Sequence, residues 1–132
     1  MSLLVPVSWG ELLDKITILQ IKIERIHDAR KLKNISHELE LLVTVRDREI
    51  SNPPGLMEVV ADLRGANERL WEIEDAIRLC EKEQDFGLRF IELARSVYMT
   101  NDLRAGLKYQ INELLGSQVI EEKSYESYTV HD

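Results

Sequence analysis

Asn67, Trp71, Glu74 and Arg78 follow one another at spacings of four, three and four, which stacks an amide, an indole, a carboxylate and a guanidinium along one face of a helix. Two further polar stripes flank apolar seams. Near the N-terminus they are Glu11, Asp14 and Lys15; near the C-terminus, Asn101, Arg104, Lys108 and Asn112 step by three and four. Arg104 and Lys108 are like charges one turn apart, a mildly unfavourable arrangement on its own. Carboxylates from another helix, or an anionic ligand, would relieve it. If the stripes converge, they enclose a pocket with cations, carboxylates and an indole wall. Its candidate ligand-binding residues are Glu11, Lys15, Asn67, Trp71, Glu74, Arg78, Arg104, Lys108 and Asn112. The cations would grip a small carboxylate or phosphate, and Glu74 or Glu11 would act as acid or base.

The plainer reading is that these charges are boundary positions beside the core. Glu11–Lys15 and Glu74–Arg78 are favourable same-helix pairs of a few tenths of a kcal/mol. Trp71 reads as a packing residue at the same boundary. Other chemistries find no support. His27 and His37 lie near a helix junction and His131 in the tail, without the spacing of a zinc site. The glutamates lack the di-iron pattern of helical bundles. Phosphate loop, dinucleotide fingerprint and nucleophile elbow are missing, and Asp85-Phe86-Gly87 lacks the companion kinase motifs. No metal or cofactor is expected.

The elements that would position these residues are helical. Ser8-Trp-Gly-Glu11 reads as a capping box opening a helix to about His27. Its apolar residues, Leu12, Ile16, Leu19, Ile23 and Ile26 widened by Leu13, Ile18 and Ile21, cover a broad arc. Such a helix must be central or face a second subunit. Asp28 caps a second helix carrying Leu32, Ile35, Leu39, Leu42 and Val43, ended by Ser51-Asn-Pro-Pro-Gly55. A third runs from about Leu56 to Gln84 on the seam Leu63, Ala66, Leu70, Ile73 and Ile77, with Cys80 on its core side. Gly65 within it costs about 1 kcal/mol against Ala, which suggests close packing there. A short fourth helix holds Phe90, Leu93, Ala94 and Val97. Thr100-Asn-Asp102 would cap a fifth holding Leu103, Leu107, Ile111 and Leu114, stopped by Gly116. The tail should be extended and partly docked through Tyr125 and Tyr128. The expected fold is therefore all-α: an antiparallel bundle of about five helices in one domain, residues 1–132, with a core over 8–116 and a tail over 117–132.

Composition bounds the rest. The chain has 132 residues, 44% hydrophobic and 31% charged, enough for one core without staples. A formal net charge of −7 argues against nucleic acid as the main partner. The lone Cys80 excludes an internal disulfide and suits a reducing compartment, so the expected location is cytoplasmic. Met1 to Val7 is too short and lacks the basic start of a signal peptide, and no apolar run approaches a membrane span.

Several blocks carry a resemblance. They are Trp9-Gly-Glu-Leu-Leu-Asp-Lys-Ile-Thr-Ile-Leu19, Asn67-Glu-Arg-Leu-Trp-Glu-Ile-Glu-Asp-Ala-Ile-Arg78, Tyr98-Met-Thr-Asn-Asp102, Ile111-Asn-Glu-Leu-Leu-Gly-Ser117 and Glu121-Glu-Lys-Ser-Tyr125. In these the chain resembles a family of small bacterial proteins catalogued only as a domain of unknown function. The resemblance covers most of the chain and departs over His27 to Gly55. It implies no activity. It implies a setting among genes for surface glycan assembly, hence a protein partner in that process. A second likeness, of architecture and charge alone, is to the all-helical chorismate mutases. Two functions follow as expectations. The first is a non-enzymatic interaction or accessory module, homodimeric through the wide face of the first helix. The alternative is a small-anion binding protein or enzyme using the polar cluster between helices 1, 3 and 5.

Overall fold

The computed structural model describes residues 1–129, and among these the regular structure is four α-helices without strands: α1 (Trp9–Arg25), α2 (Ala29–Glu49), α3 (Leu56–Lys82) and α4 (Leu88–Leu115). The all-α expectation holds. The count of five does not, because α4 runs unbroken through Thr100, Asn101 and Asp102. These residues are weak helix formers, yet none is Gly or Pro, and nothing there forces the backbone to turn. Thr100 is buried in the helix, and Asp102 accepts a hydrogen bond from the Tyr128 hydroxyl at 2.6 Å.

The other boundaries follow from local chemistry. Ser8 Oγ accepts from the Glu11 N–H at 3.1 Å and Asp28 Oδ1 from the Lys31 N–H at 2.9 Å, so both caps form. The Glu11 carboxylate does not close the expected box; it turns to α4. Gly55 and Gly116 take left-handed backbone at the ends of α3 and α4, with φ of 89° and 61°. The Ser117 N–H then donates to the Asn112 carbonyl at 2.8 Å, closing the C-terminal turn.

α1 is the hub: it packs on α2, α3 and α4, while α2 approaches only α1 closely. Much of its broad apolar arc is thereby used within the chain, with Leu13, Ile16, Leu19 and Ile21 all nearly inaccessible, while Ile23 is exposed. Leu12, Leu13 and Ile16 meet Leu56, Leu63, Ala66, Leu107 and Ile111 in the core. α2 has no buried residue; Leu39, Leu42 and Val43 lean on this core from outside. Arg64 on α3 reaches the α1 carboxylate of Glu24 and, within α3, Glu68 at 2.9 Å. A Cβ at Gly65 would meet nothing within 4 Å, so the expected close packing there is absent. The close approach is at Gly10, where a Cβ would lie 2.5 Å from the Lys108 carbonyl oxygen.

The helices differ in length, and this shapes the molecule. α1 has 17 residues, whereas α3 and α4 have 27 and 28. Arg25, the last residue of α1, reaches Glu72 on α3 at 3.4 Å. The last ten residues of α3 (73 to 82), about 15 Å of helix, lie beyond this contact; Glu74 and Asp75 still border a cavity with Ile18 and Lys22 of α1, and α4 is the other helix that packs on α3. This α3–α4 arm, residues 73–97, is a two-helix hairpin.

Candidate functional site

The polar residues of α1 and α4 meet along one shared face. At its lower end α4 caps α1. The first backbone N–H groups of a helix lack intrahelical partners. Here the Trp9 N–H donates to Ser117 Oγ at 3.2 Å and the Gly10 N–H to Asn112 Oδ1 at 2.6 Å. With Ser8 holding the Glu11 N–H, three of these donors are satisfied, two of them from α4 and the residue that follows its cap. The contact requires the bare backbone of Gly10. Asn112, a candidate ligand residue, is buried and serves as this cap.

One turn along lies Asp14, 1% exposed. Its carboxylate accepts from Arg104 side-on: Nε donates to Oδ1 at 2.9 Å and Nη2 to Oδ2. The Asn67 amide also donates to Oδ1 at 2.9 Å, and to Thr17 Oγ1 at 2.9 Å. Thr17 in turn donates to the Asp14 carbonyl at 2.7 Å. One buried carboxylate thus joins α1, α3 and α4. The hydrogen bond to Asp14 raises the Arg104 pKa above the ordinary guanidinium value, against the opposing effect of burial.

Lys108 occupies the next turn, with its side chain 13% exposed. Its ammonium donates to Glu11 Oε2 at 2.7 Å and to Glu121 Oε2, from the tail, at 3.3 Å. Burial alone would lower the Lys108 pKa. The Glu11 hydrogen bond, with the fields of Asp14, Glu11 and Glu121, outweighs it, and the pKa is raised. The conflict between Arg104 and Lys108 is therefore relieved by carboxylates of the chain itself.

Three cavities share Asn101 of α4 in their lining. One of about 210 Å³ is lined by Glu11, Asn101, Arg104, Lys108, Tyr109 and Glu121, among others. A second of about 730 Å³ lies between α4 and the tail, against Tyr98, Asp102, Tyr125 and Tyr128. A third of about 480 Å³ lies where α1 ends, against Lys22, Asn67, Trp71, Glu74 and Arg104. Of the candidate residues, Glu11, Asn67, Arg104, Lys108 and Asn112 share the α1–α4 face. Trp71 and Glu74 line the adjoining third cavity. Lys15 and Arg78 fall outside. Lys15 pairs with Glu38 on α2 at 3.1 Å, not with Glu11, and Arg78 pairs with Glu74 at 3.2 Å with its side chain 78% exposed. Among the described residues no three His, Cys, Asp or Glu side chains gather as metal ligands would. His131 lies outside the described residues.

Asp14, Thr17, Asn101, Ser117 and Glu121 also belong here outside the candidate set, although Asp14 and Asn101 stand in the polar stripes of the sequence. The signal for the first two was present: Asp14, Thr17 and Ile21 step by three and four into the buried side of α1, so a carboxylate stands on an apolar face. Ser117 and Glu121 follow the last helix, and no periodicity aims a tail residue at a helix.

The chain belongs to a family of unknown function (DUF6165), whose model matches residues 3–130. No curated protein and no solved structure matches it.

Proposed function

We propose that the chain is a non-enzymatic interaction module whose α3–α4 arm docks on the arm of a second copy. The observation that carries this reading is the apolar surface left on the arm past the end of α1. Leu79, Phe86, Leu88 and Ile91 are about half or more exposed there. Beside them Ile77, Phe90, Ala94 and Val97 are only half-buried. Apolar side chains gathered on one projecting element mark an interaction surface more often than scattered ones do. A two-helix hairpin is poorly covered by itself, and two of them pack into a four-helix bundle.

The charges suit a two-fold pairing. On the arm, α3 and its cap carry Glu74, Asp75, Glu81 and Glu83 against Arg78 and Lys82. The start of α4 carries Arg89 and Arg95 against Glu92. A symmetric contact that sets α3 of one copy beside α4 of the other brings opposite signs together. The dimer face differs from the one expected on α1, where Leu12, Leu13, Ile16, Leu19 and Ile21 are buried in the chain and Ile23 stays exposed. Catalysis gains no support from the polar face, where Arg104 and Lys108 are held by Asp14 and Glu11. The accessory role in surface glycan assembly and the cytoplasmic location are carried within the same proposal.

Sedimentation equilibrium tests the reading. The wild-type chain is expected to be a dimer, and Leu79→Glu with Ile91→Glu a folded monomer. Both side chains are exposed in the single chain, so neither change should unfold it. A wild-type protein that stays monomeric at high micromolar concentration would remove the proposal.

A further inference from the structure

The tail lies along α4 on few contacts. Every described residue from Gln118 onward is exposed. The hold consists of Ser117 at the base, Glu121 on Lys108, and Tyr128, which donates to Asp102 and meets the Tyr98 ring edge-on at 5.4 Å. Exposed polar contacts of this kind contribute little, and segments held by them open locally at low cost. The tail also separates two cavities. The 210 Å³ and 730 Å³ spaces share Asn101 of α4 and Lys123 of the tail, so lifting the tail joins them.

Beneath it the floor is electrically balanced. Arg104 faces Asp14 and Lys108 faces Glu11, all on rigid helices. Glu121 is then an extra carboxylate, and among the described residues it is the one that the tail supplies to this ammonium. Among the described residues the Arg104 hydrogen bonds run from Nε and Nη2, leaving Nη1 without one, and Arg104, Asn101 and Tyr109 line the same cavity. The cavity already accepts one carboxylate and has donors left for a second group beside it.

We propose that Glu121 is a built-in stand-in for a ligand, and that a small carboxylate takes its place on Lys108 and Arg104 when the tail lifts. The ligand class follows from the group now held there. One ligand carboxylate replaces that of Glu121 on Lys108, and a second group of the same ligand has Arg104, Asn101 and Tyr109 beside it. Tail closure and ligand binding exclude each other at Lys108, and apparent affinity falls with the fraction of molecules closed. The site lies apart from the α3–α4 arm, and its existence does not depend on dimer formation.

Calorimetric titration of the full chain with glutarate, which carries the end group of a glutamate side chain, tests this alongside inorganic phosphate. Glutarate is expected to bind wild type and to bind Glu121→Gln roughly threefold or more tightly, because the competitor is gone. Lys108→Met should lose about tenfold or more, the scale of one charge-assisted contact. Glutarate should also speed tryptic cleavage after Lys123 in wild type, as the tail is released. Glu121→Gln is a change on an exposed tail and cannot fail by unfolding the core. The proposal is overturned if neither wild type nor Glu121→Gln binds glutarate up to about 10 mM, or about −2.7 kcal/mol. Equal affinity in the two proteins, or binding of phosphate alone, would overturn it as well.

Discussion

Asp14 is the residue on which the polar face depends. It is a buried carboxylate with two partners from other helices, and each partner is less buried than it is. Removing a partner from such a group costs more than the pair contributes, because the charge left behind has no solvent. Arg104→Leu is therefore expected to lower the unfolding free energy by about 3–5 kcal/mol in urea titration. Arg104→Lys should recover only part of it, since a lysine cannot make the side-on double contact. A loss below about 1 kcal/mol, the range of a surface pair, would show that Asp14 is not held as described. This residue also marks how far the sequence could be read. Asp14 stands in a polar stripe with Glu11 and Lys15, and its steps of three and four to Thr17 and Ile21 are the local sign that it faces inward. Which cation would reach it was not visible, because Arg104 lies ninety residues away. Lys15 and Arg78 looked equally suitable by spacing alone, yet each found a nearer carboxylate on the surface.

At the scale of the elements, helix starts were legible because capping chemistry is local: Ser8 and Asp28 act within three residues. The false break at Thr100 to Asp102 arose from the same chemistry. Cap-forming side chains permit a helix to begin, but only a competing turn or a breaker makes one end. Gly65 was misjudged in a related way, as a contact where there is open space. Gly65→Ala should thus stabilise the protein by about 0.5–1 kcal/mol, read as a higher urea midpoint at unchanged slope. A destabilised variant would mean that another surface packs there. The tail has its own signature in pH. Lys108 and Tyr128 both have raised pKa values, the first through Glu11 against burial, the second through its hydrogen bond to Asp102. Each contact is fully present below the ordinary values, near pH 10, and is lost as pH rises through the folded ones. The tail should accordingly lift in alkali. In a tyrosine absorbance titration one phenol should ionise after the others, and Tyr128→Phe should abolish that late step. Tyrosines that titrate together would contradict the docked tail.

For the whole molecule, unequal helix length matters more than any motif. α1 can cover only part of the α3–α4 hairpin, and the remainder projects with Leu79, Phe86, Leu88 and Ile91 in water. Periodicity marked these residues as helical and apolar but could not say which would remain uncovered; that depends on where α1 stops against α3, at Arg25 and Glu72. For the same reason periodicity could not say how much of the wide face of α1 the chain covers itself: Leu13, Ile16, Leu19 and Ile21 are buried, while Ile23 is not. The family match extends over nearly all of the chain, arm and tail included. The proposed self-association surface is the arm. Amide hydrogen exchange followed across protein concentration tests it most directly, because it locates the contact as well as detecting it. Amides of residues 73–97 should become more protected as concentration rises, while those of α2, which has no buried residue of its own, stay unchanged. Protection that does not vary with concentration, or that grows on α2 instead of the arm, would contradict the account.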